Sequence, residues 1–112
     1  MSAQLACLTA DVPVAGTLRL ELDGVGGLVE VAIVRDGDGG WHALSDTCSH
    51  GQVSLSDGEV DDCTVECWAH GSTFDLRTGR PLGPPAVVPV PVYPVTFDGD
   101  RVLVDVDAPL NA

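Results

Sequence analysis

Short apolar runs alternate along this chain with clusters of glycine, aspartate and proline. Residues 17–22 place three leucines on one face and polar side chains on the other, which is the pattern of a half-buried strand. The valine-rich segment 28–35 and the short segment 41–44 predict a second and a third strand, because a glycine- and aspartate-rich turn precedes each of them. No helix of ordinary length is indicated, so the pattern predicts an all-β fold.

Two further strands are predicted towards the C-terminus. Residues 101–107 alternate with their valines inward, and the turn sequence at 97–100 pairs them with residues 92–96 as a hairpin. The segment 88–92 carries two prolines at a spacing of two residues, so both missing N–H groups point to the same side. Because that side cannot be paired continuously, this segment is predicted to be an edge strand.

Length and composition support a small β-protein. The 112 residues are enough for one domain, predicted to span residues 1–112. Seventeen valines against a single isoleucine favour strands, because a β-branched side chain fits a pleated sheet better than a helix. Thirteen glycines and eight prolines supply the residues that many turns require.

The middle of the chain, residues 45–85, is predicted to be irregular. A stretch this long without regular structure needs something to hold it in place. It contains most of the cysteines and histidines of the chain: Cys48, His50, Cys63, Cys67 and His70. The predicted architecture is a β-sandwich carrying an inserted, ligand-held loop region.

Two short motifs in this region carry the chemistry. Residues 48–51 read Cys-Ser-His-Gly, and residues 67–72 read Cys-Trp-Ala-His-Gly-Ser, with sixteen residues between His50 and Cys67. Two thiolates and two imidazoles can bind zinc, a mononuclear iron or an iron–sulfur cluster. The glycine after each histidine lets the backbone turn closely around a bound group.

These motifs resemble the two cluster-binding loops of the Rieske [2Fe–2S] family. The resemblance extends over about residues 3–107, and residues 83–85 (Gly-Pro-Pro) stand where the family has a proline loop. It implies a Rieske-type antiparallel β-sandwich with an inserted cluster-binding loop subdomain at about residues 45–85. It also implies one [2Fe–2S] cluster per chain, with the iron ligands Cys48, His50, Cys67 and His70.

The resemblance is to the low-potential, soluble ferredoxins of the family. High-potential members carry two further cysteines that form a disulfide, and the matching positions here are Val53 and Ala69. They also carry a tyrosine whose hydroxyl hydrogen-bonds the cluster, and the matching position is Phe74. The implied function is one-electron transfer from a flavin-dependent reductase to a terminal non-haem iron oxygenase, with no catalysis by the chain itself.

Two other functions remain open at this stage. The first is a ferredoxin-like accessory of iron–sulfur cluster assembly, and the second is a zinc-stabilised interaction module held by the same four side chains. The chain is not expected to be the oxygenase, because a mononuclear iron site of that class uses two histidines and a carboxylate. Only His42 lies outside the two motifs, and it is predicted to be a partly buried structural histidine.

Charge restricts the possible partners. Seventeen acidic residues against five arginines give a formal net charge of −12, which excludes nucleic acids and anionic membrane surfaces as ligands. A charged protein partner should therefore offer a basic surface. No membrane span or basic leader sequence is indicated, so the expected location is the cytoplasm, where Cys7 and Cys63 would be free thiols. A monomer is expected, because a carrier must dock on two partners in turn.

Two features near the motifs suggest how a partner would be met. The acidic run 57–62 is either a solvated turn or part of a steering surface. Trp68, inside the second motif, either shields the cluster from water or presents an aromatic contact, and shielding is the preferred interpretation.

Overall fold

The computed structural model describes residues 3–47, 54–68, 71–82 and 88–111. In chain order, the strands of these residues are β1 (Gln4–Leu8), β2 (Thr17–Gly24), β3 (Gly27–Arg35), β4 (Trp41–Ser45), β5 (Glu59–Asp61), β6 (Thr64–Glu66), β7 (Thr73–Asp75), β8 (Val92–Tyr93), β9 (Val95–Asp98) and β10 (Arg101–Val104). The only helical elements in these ranges are the 3₁₀ turns Thr9–Asp11 and Leu55–Asp57. No helix in the described part of the chain is long and apolar enough to span a membrane. The all-β prediction is confirmed.

The strands form three antiparallel sheets. The first has the order β1-β10-β9, the second β2-β3-β4-β8 and the third β5-β6-β7. The predicted strands at 17–22, 28–35 and 41–44 correspond to β2, β3 and β4, which pair as a meander. The third sheet lies within the predicted cluster-binding region, about residues 45–85.

Strand β3 lies between two hydrophobic cores. Val31 and Ile33 pack into a core shared with β10, whereas Ala32 and Val34 point to the opposite face and pack into a core shared with β6 and β7. All four side chains are fully buried. Because successive side chains of a strand point to opposite faces, a strand covered on both sides must be apolar at consecutive positions. This explains why the segment reads as a nearly continuous apolar run.

The predicted hairpin at the C-terminus is partly wrong. Pro94 divides the segment 92–96 into β8, which pairs with β4, and β9, which pairs with β10 in a different sheet. Proline has no N–H to continue a ladder, so the chain changes sheets there. The edge prediction for 88–92 holds only for Val92, which lies in the outermost strand of the second sheet.

The prediction of an irregular middle is also wrong in part. The third sheet is formed by β5, β6 and β7, each only three residues long. Strands this short show too few alternations for a pattern to be recognised. Strand β1 was not predicted either, and its pairing with β10 is interrupted by a register shift between Leu5 and Cys7.

We predict that Gly58→Ala destabilises the fold. A methyl group at Gly58 would lie well inside van der Waals distance of the Glu66 carbonyl oxygen, which belongs to the backbone of β6 and cannot rotate away. Overpacking of this kind costs about 1–3 kcal/mol. The matched control is Gly26→Ala, because nothing lies within 4 Å of a methyl group there, and it should change stability by less than about 0.5 kcal/mol. Equal urea midpoints for the two variants would contradict this account of Gly58.

Candidate metal centre

Of the four predicted cluster ligands, Cys67 is the one that lies within the described residues. Cys48 and His50 fall in the segment 48–53, and His70 falls in 69–70, all outside them. The proline loop at 83–85 and the positions Val53 and Ala69 are likewise outside. The structure therefore bears on this site through Cys67 and through the residues that flank the three segments 48–53, 69–70 and 83–87.

Cys67 lies immediately after β6 and is fully buried. Its N–H donates to the Ser72 carbonyl at 2.6 Å, and its carbonyl accepts the Gly71 N–H at 2.9 Å. Gly71 has φ +74°, a left-handed conformation that glycine adopts without strain. The two hydrogen bonds close a tight loop between β6 and β7. A buried thiol fixed by its own backbone fits a ligand to the inner iron of a Rieske cluster.

The first motif is flanked by a closed stem. Thr47 and Ser54 form an isolated antiparallel bridge. Next to it, the Leu55 N–H donates to the Asp46 carbonyl at 2.6 Å, and the Ser56 N–H donates to Asp46 Oδ1 at 2.9 Å. The buried Asp46 carboxylate also pairs with the Arg19 guanidinium through Oδ2, at 3.3 Å from Nε. The ends of segment 48–53 are therefore held on the second sheet.

The flanks of all three segments meet at one end of the third sheet. Glu66, at the end of β6, pairs with Thr73, at the start of β7. The Leu82 N–H, just before segment 83–87, donates to the Thr73 carbonyl at 2.7 Å. Gly58, which follows the first stem, packs against the Glu66 carbonyl. Residues distant in sequence, on the flanks of the three segments, thus lie close to one another at this end of the sheet.

Exposed apolar side chains flank two of the three segments. Trp68 is 59% exposed, and Leu82 and Val88, which flank the proline loop, are 60% and 57% exposed. The preferred interpretation of Trp68 as a buried shield is therefore wrong. Cys67 faces the core, whereas Trp68, the next residue of the turn, faces solvent. We call Trp68, Leu82 and Val88 the apolar rim.

Acidic side chains lie beside the apolar rim. Glu59 and Glu66 are both exposed and stand directly opposite each other on β5 and β6. Like charges at paired positions repel each other, so this pair does not stabilise the sheet. The negative potential that it contributes, within a chain of net charge −12, favours a basic partner.

His42 is partly buried, as the sequence predicted. Its Nε2 lies 2.8 Å from Asp36 Oδ2, and both side chains are largely buried. The hydrogen bond to His42 is the main reason why the pKa of Asp36 is lowered to about 2, so this carboxylate is ionised at neutral pH. The described cysteines, Cys7, Cys63 and Cys67, form no disulfide with one another.

Comparison with known proteins decides the family. Residues 2–94 match the model of the Rieske [2Fe–2S] domain. The chain belongs to the Rieske [2Fe–2S] family. The cofactor of this Rieske protein is accordingly a [2Fe–2S] cluster, and the described donor, a buried cysteine in a closed loop, fits that group. The zinc-module hypothesis is set aside.

The relatives of this Rieske protein include ferredoxins of aromatic-ring dioxygenases. It is 40% identical over 106 residues to the 3-phenylpropionate/cinnamic acid dioxygenase ferredoxin subunit of Escherichia coli, with 94% of each chain covered. It is 33% identical to the ferredoxin of carbazole 1,9a-dioxygenase from Nocardioides aromaticivorans, with a TM-score of 0.83 over 94% of this chain and 98% of that one. Both relatives are thus ferredoxin components of dioxygenases.

A further similar structure is a complex. A chain in the complex of reduced oxygenase and oxidised ferredoxin of carbazole 1,9a-dioxygenase is 33% identical, with a TM-score of 0.82 and 94% of both chains covered. In that system a ferredoxin of this fold binds an oxygenase directly.

We predict that Asp46→Ala weakens the stem of the first motif. The substitution leaves the Ser56 N–H without its carboxylate acceptor, and an unsatisfied buried donor costs about 1–3 kcal/mol. Asp46→Asn keeps an oxygen for that N–H and loses only the charge facing Arg19, so it should cost less. Thermal unfolding, followed by the visible absorption of the cluster, measures both variants. Asp46→Asn destabilising as much as Asp46→Ala would assign the effect to the ion pair instead.

Proposed function

We propose that this Rieske protein carries single electrons from a flavin-dependent reductase to a terminal non-haem iron oxygenase. The observation that carries the proposal is full-length similarity to dioxygenase ferredoxins, one of which has been solved in complex with its oxygenase. The alternative role in iron–sulfur cluster assembly uses the same cofactor and remains a hypothesis without a supporting observation.

Cys48 and Cys67 are proposed to bind the inner iron, and His50 and His70 the outer iron. The cluster supplies a one-electron couple, and two neutral imidazoles in place of two thiolates raise its potential above that of all-cysteine ferredoxins. The protein buries Cys67 in the core that contains Phe74 and leaves the side chains of the apolar rim exposed to solvent.

The apolar rim is proposed to be the contact surface for both redox partners. It combines an aromatic side chain that follows the predicted ligand Cys67 with two aliphatic side chains that flank segment 83–87, and aromatic anchors contribute much of the binding energy of protein interfaces. The Glu59–Glu66 pair beside it is proposed to orient a basic partner during the encounter. Each partner would then leave before the other could bind, because both use one surface.

Three further expectations follow from this role. The chain is proposed to comprise a single Rieske domain over residues 1–112. It is proposed to work in the cytoplasm, where a flavin-dependent reductase has access to reduced nicotinamide cofactors. It is also proposed to act as a monomer without affinity for nucleic acids or membranes, because a carrier of net charge −12 must be free to move between partners.

We predict that Cys67→Ser abolishes the cluster. The substitution removes one of the two thiolates, and a hydroxyl is a poor ligand for this type of iron centre. Cys7→Ser is the matched control, because Cys7 is also buried but lies on β1 in the other core. Iron and sulfide analysis with visible absorption should show loss of the cluster in Cys67→Ser only. A full spectrum in Cys67→Ser would refute the ligand assignment.

We predict that Trp68→Ala weakens binding to the terminal oxygenase by about tenfold or more. Removing an exposed aromatic anchor from an interface commonly costs about 1.4 kcal/mol or more, which corresponds to that factor. The reduction potential should stay unchanged, so any loss of transfer rate reports docking. Val25→Ala is the control, because Val25 is 90% exposed on the turn between β2 and β3. Equal affinities of the two variants would place the contact surface elsewhere.

A further inference from the structure

Three side chains with different donor atoms meet outside the cluster-binding motifs. They are Asp36, His42 and Cys63, and their donor atoms all lie within 4.8 Å of one another. His42 Nε2 is 2.8 Å from Asp36 Oδ2 and 3.8 Å from Cys63 Sγ. One imidazole nitrogen therefore faces both a carboxylate oxygen and a thiol.

The Asp36 carboxylate is fixed so that one oxygen is left for this group. Oδ1 accepts the backbone N–H groups of Asp38 and Gly40, at 2.9 and 2.8 Å. Oδ2 is the oxygen that faces His42. A side chain at Gly40 would place its first carbon 2.6 Å from Oδ2, so the glycine keeps space open on this side of the carboxylate. Metal-binding carboxylates are held by hydrogen bonds of this kind.

Cys63 reaches the same point from a different sheet. It follows Asp62, which has φ +56° in the tight turn between β5 and β6. The Asp62 carbonyl accepts the Gly37 N–H at 2.8 Å, and the Cys63 carbonyl accepts the Leu76 N–H at 2.9 Å. The first bond docks the turn on the loop that joins β3 and β4, and the second ties it to the residue that follows β7. The position of the thiol is therefore set by the backbone.

We propose that Asp36, His42 and Cys63 form a second metal site, separate from the cluster, for one zinc-like divalent ion. In a tetrahedral zinc site with Zn–S of about 2.3 Å and Zn–N or Zn–O of about 2.0–2.1 Å, neighbouring sulfur and nitrogen ligands lie about 3.5 Å apart. Two nitrogen or oxygen ligands lie about 3.3 Å apart in the same geometry. The distances of 3.8 and 2.8 Å seen here reach these values through side-chain shifts of about half an ångström.

The donor set favours zinc over calcium or magnesium. A thiolate and an imidazole are ligands for zinc and similar transition metals, whereas the two hard cations require oxygen ligands. Three protein ligands leave the fourth tetrahedral position to a water molecule. On binding, the thiol of Cys63 loses its proton to solvent, and the imidazole carries its single proton on Nδ1 so that Nε2 can coordinate. Asp36 is already ionised.

A bound ion would join the second and third sheets. His42 lies on β4 of the second sheet, and Asp36 lies just after β3 of the same sheet. Cys63 lies in the turn between β5 and β6 of the third sheet. Anything that binds the folded state alone stabilises it by mass action. Zinc should therefore raise the thermal midpoint of the protein without entering the electron-transfer site.

The test uses the cluster-loaded protein titrated with zinc chloride by calorimetry. One equivalent should bind to the wild type, with the visible spectrum of the cluster unchanged. Cys63→Ser and His42→Asn should each weaken binding at least tenfold and remove the zinc-dependent thermal shift. Cys7→Ser is the thiol control, and Asp38→Asn, an exposed acid in the same loop, is the charge control, and both should bind as the wild type does. X-ray absorption at the zinc edge should show one sulfur ligand.

Several results would overturn the proposal. They are the absence of stoichiometric binding, unaltered binding in Cys63→Ser, an equal loss in Asp38→Asn, and a zinc spectrum without sulfur. Bleaching of the cluster in step with zinc binding would also overturn it, because the ion would then occupy the cluster ligands. If His42→Asn does not fold, Cys63→Ser and the absorption spectrum still decide the question.

Discussion

The burial of β3 on both faces is the constraint on which the rest of the structure depends. Its consecutive apolar side chains pack against two other sheets. One face packs against the β1-β10-β9 sheet, and the other face packs against the β5-β6-β7 sheet. A sheet of three strands with three residues each cannot bury enough apolar surface to be stable alone. It is ordered because Val65, Phe74 and Leu76 pack against the second face of the central sheet.

This arrangement explains how short loops can hold a metal cluster in a small protein. The stems beside the predicted ligands are fastened to strands of the second and third sheets. Asp46 ties the first stem to Arg19 on β2, and two backbone hydrogen bonds close the loop after Cys67. The binding energy of the cluster then adds to the stability of stems that protein contacts already position.

The stems must be held firmly, whereas the surface must bind partners and release them. An electron carrier must bind its partners briefly, which favours a small apolar contact surrounded by charge that acts at a distance. The proposed contact is the apolar rim, and the proposed long-range term is the acidic surface. The Glu59–Glu66 pair opposes sheet stability, so folding alone does not account for its position.

The sequence by itself determined the chemistry and the fold class. Paired Cys–His motifs, their glycines and the valine-rich alternation are local features, and local features can be recognised without knowledge of the fold. Tertiary structure alone decided where the chain changes sheets at Pro94 and which way Trp68 faces. It also decided that Asp36, His42 and Cys63 meet at one point. These outcomes depend on packing between segments that are distant in the chain, and no pattern of neighbouring residues records such contacts.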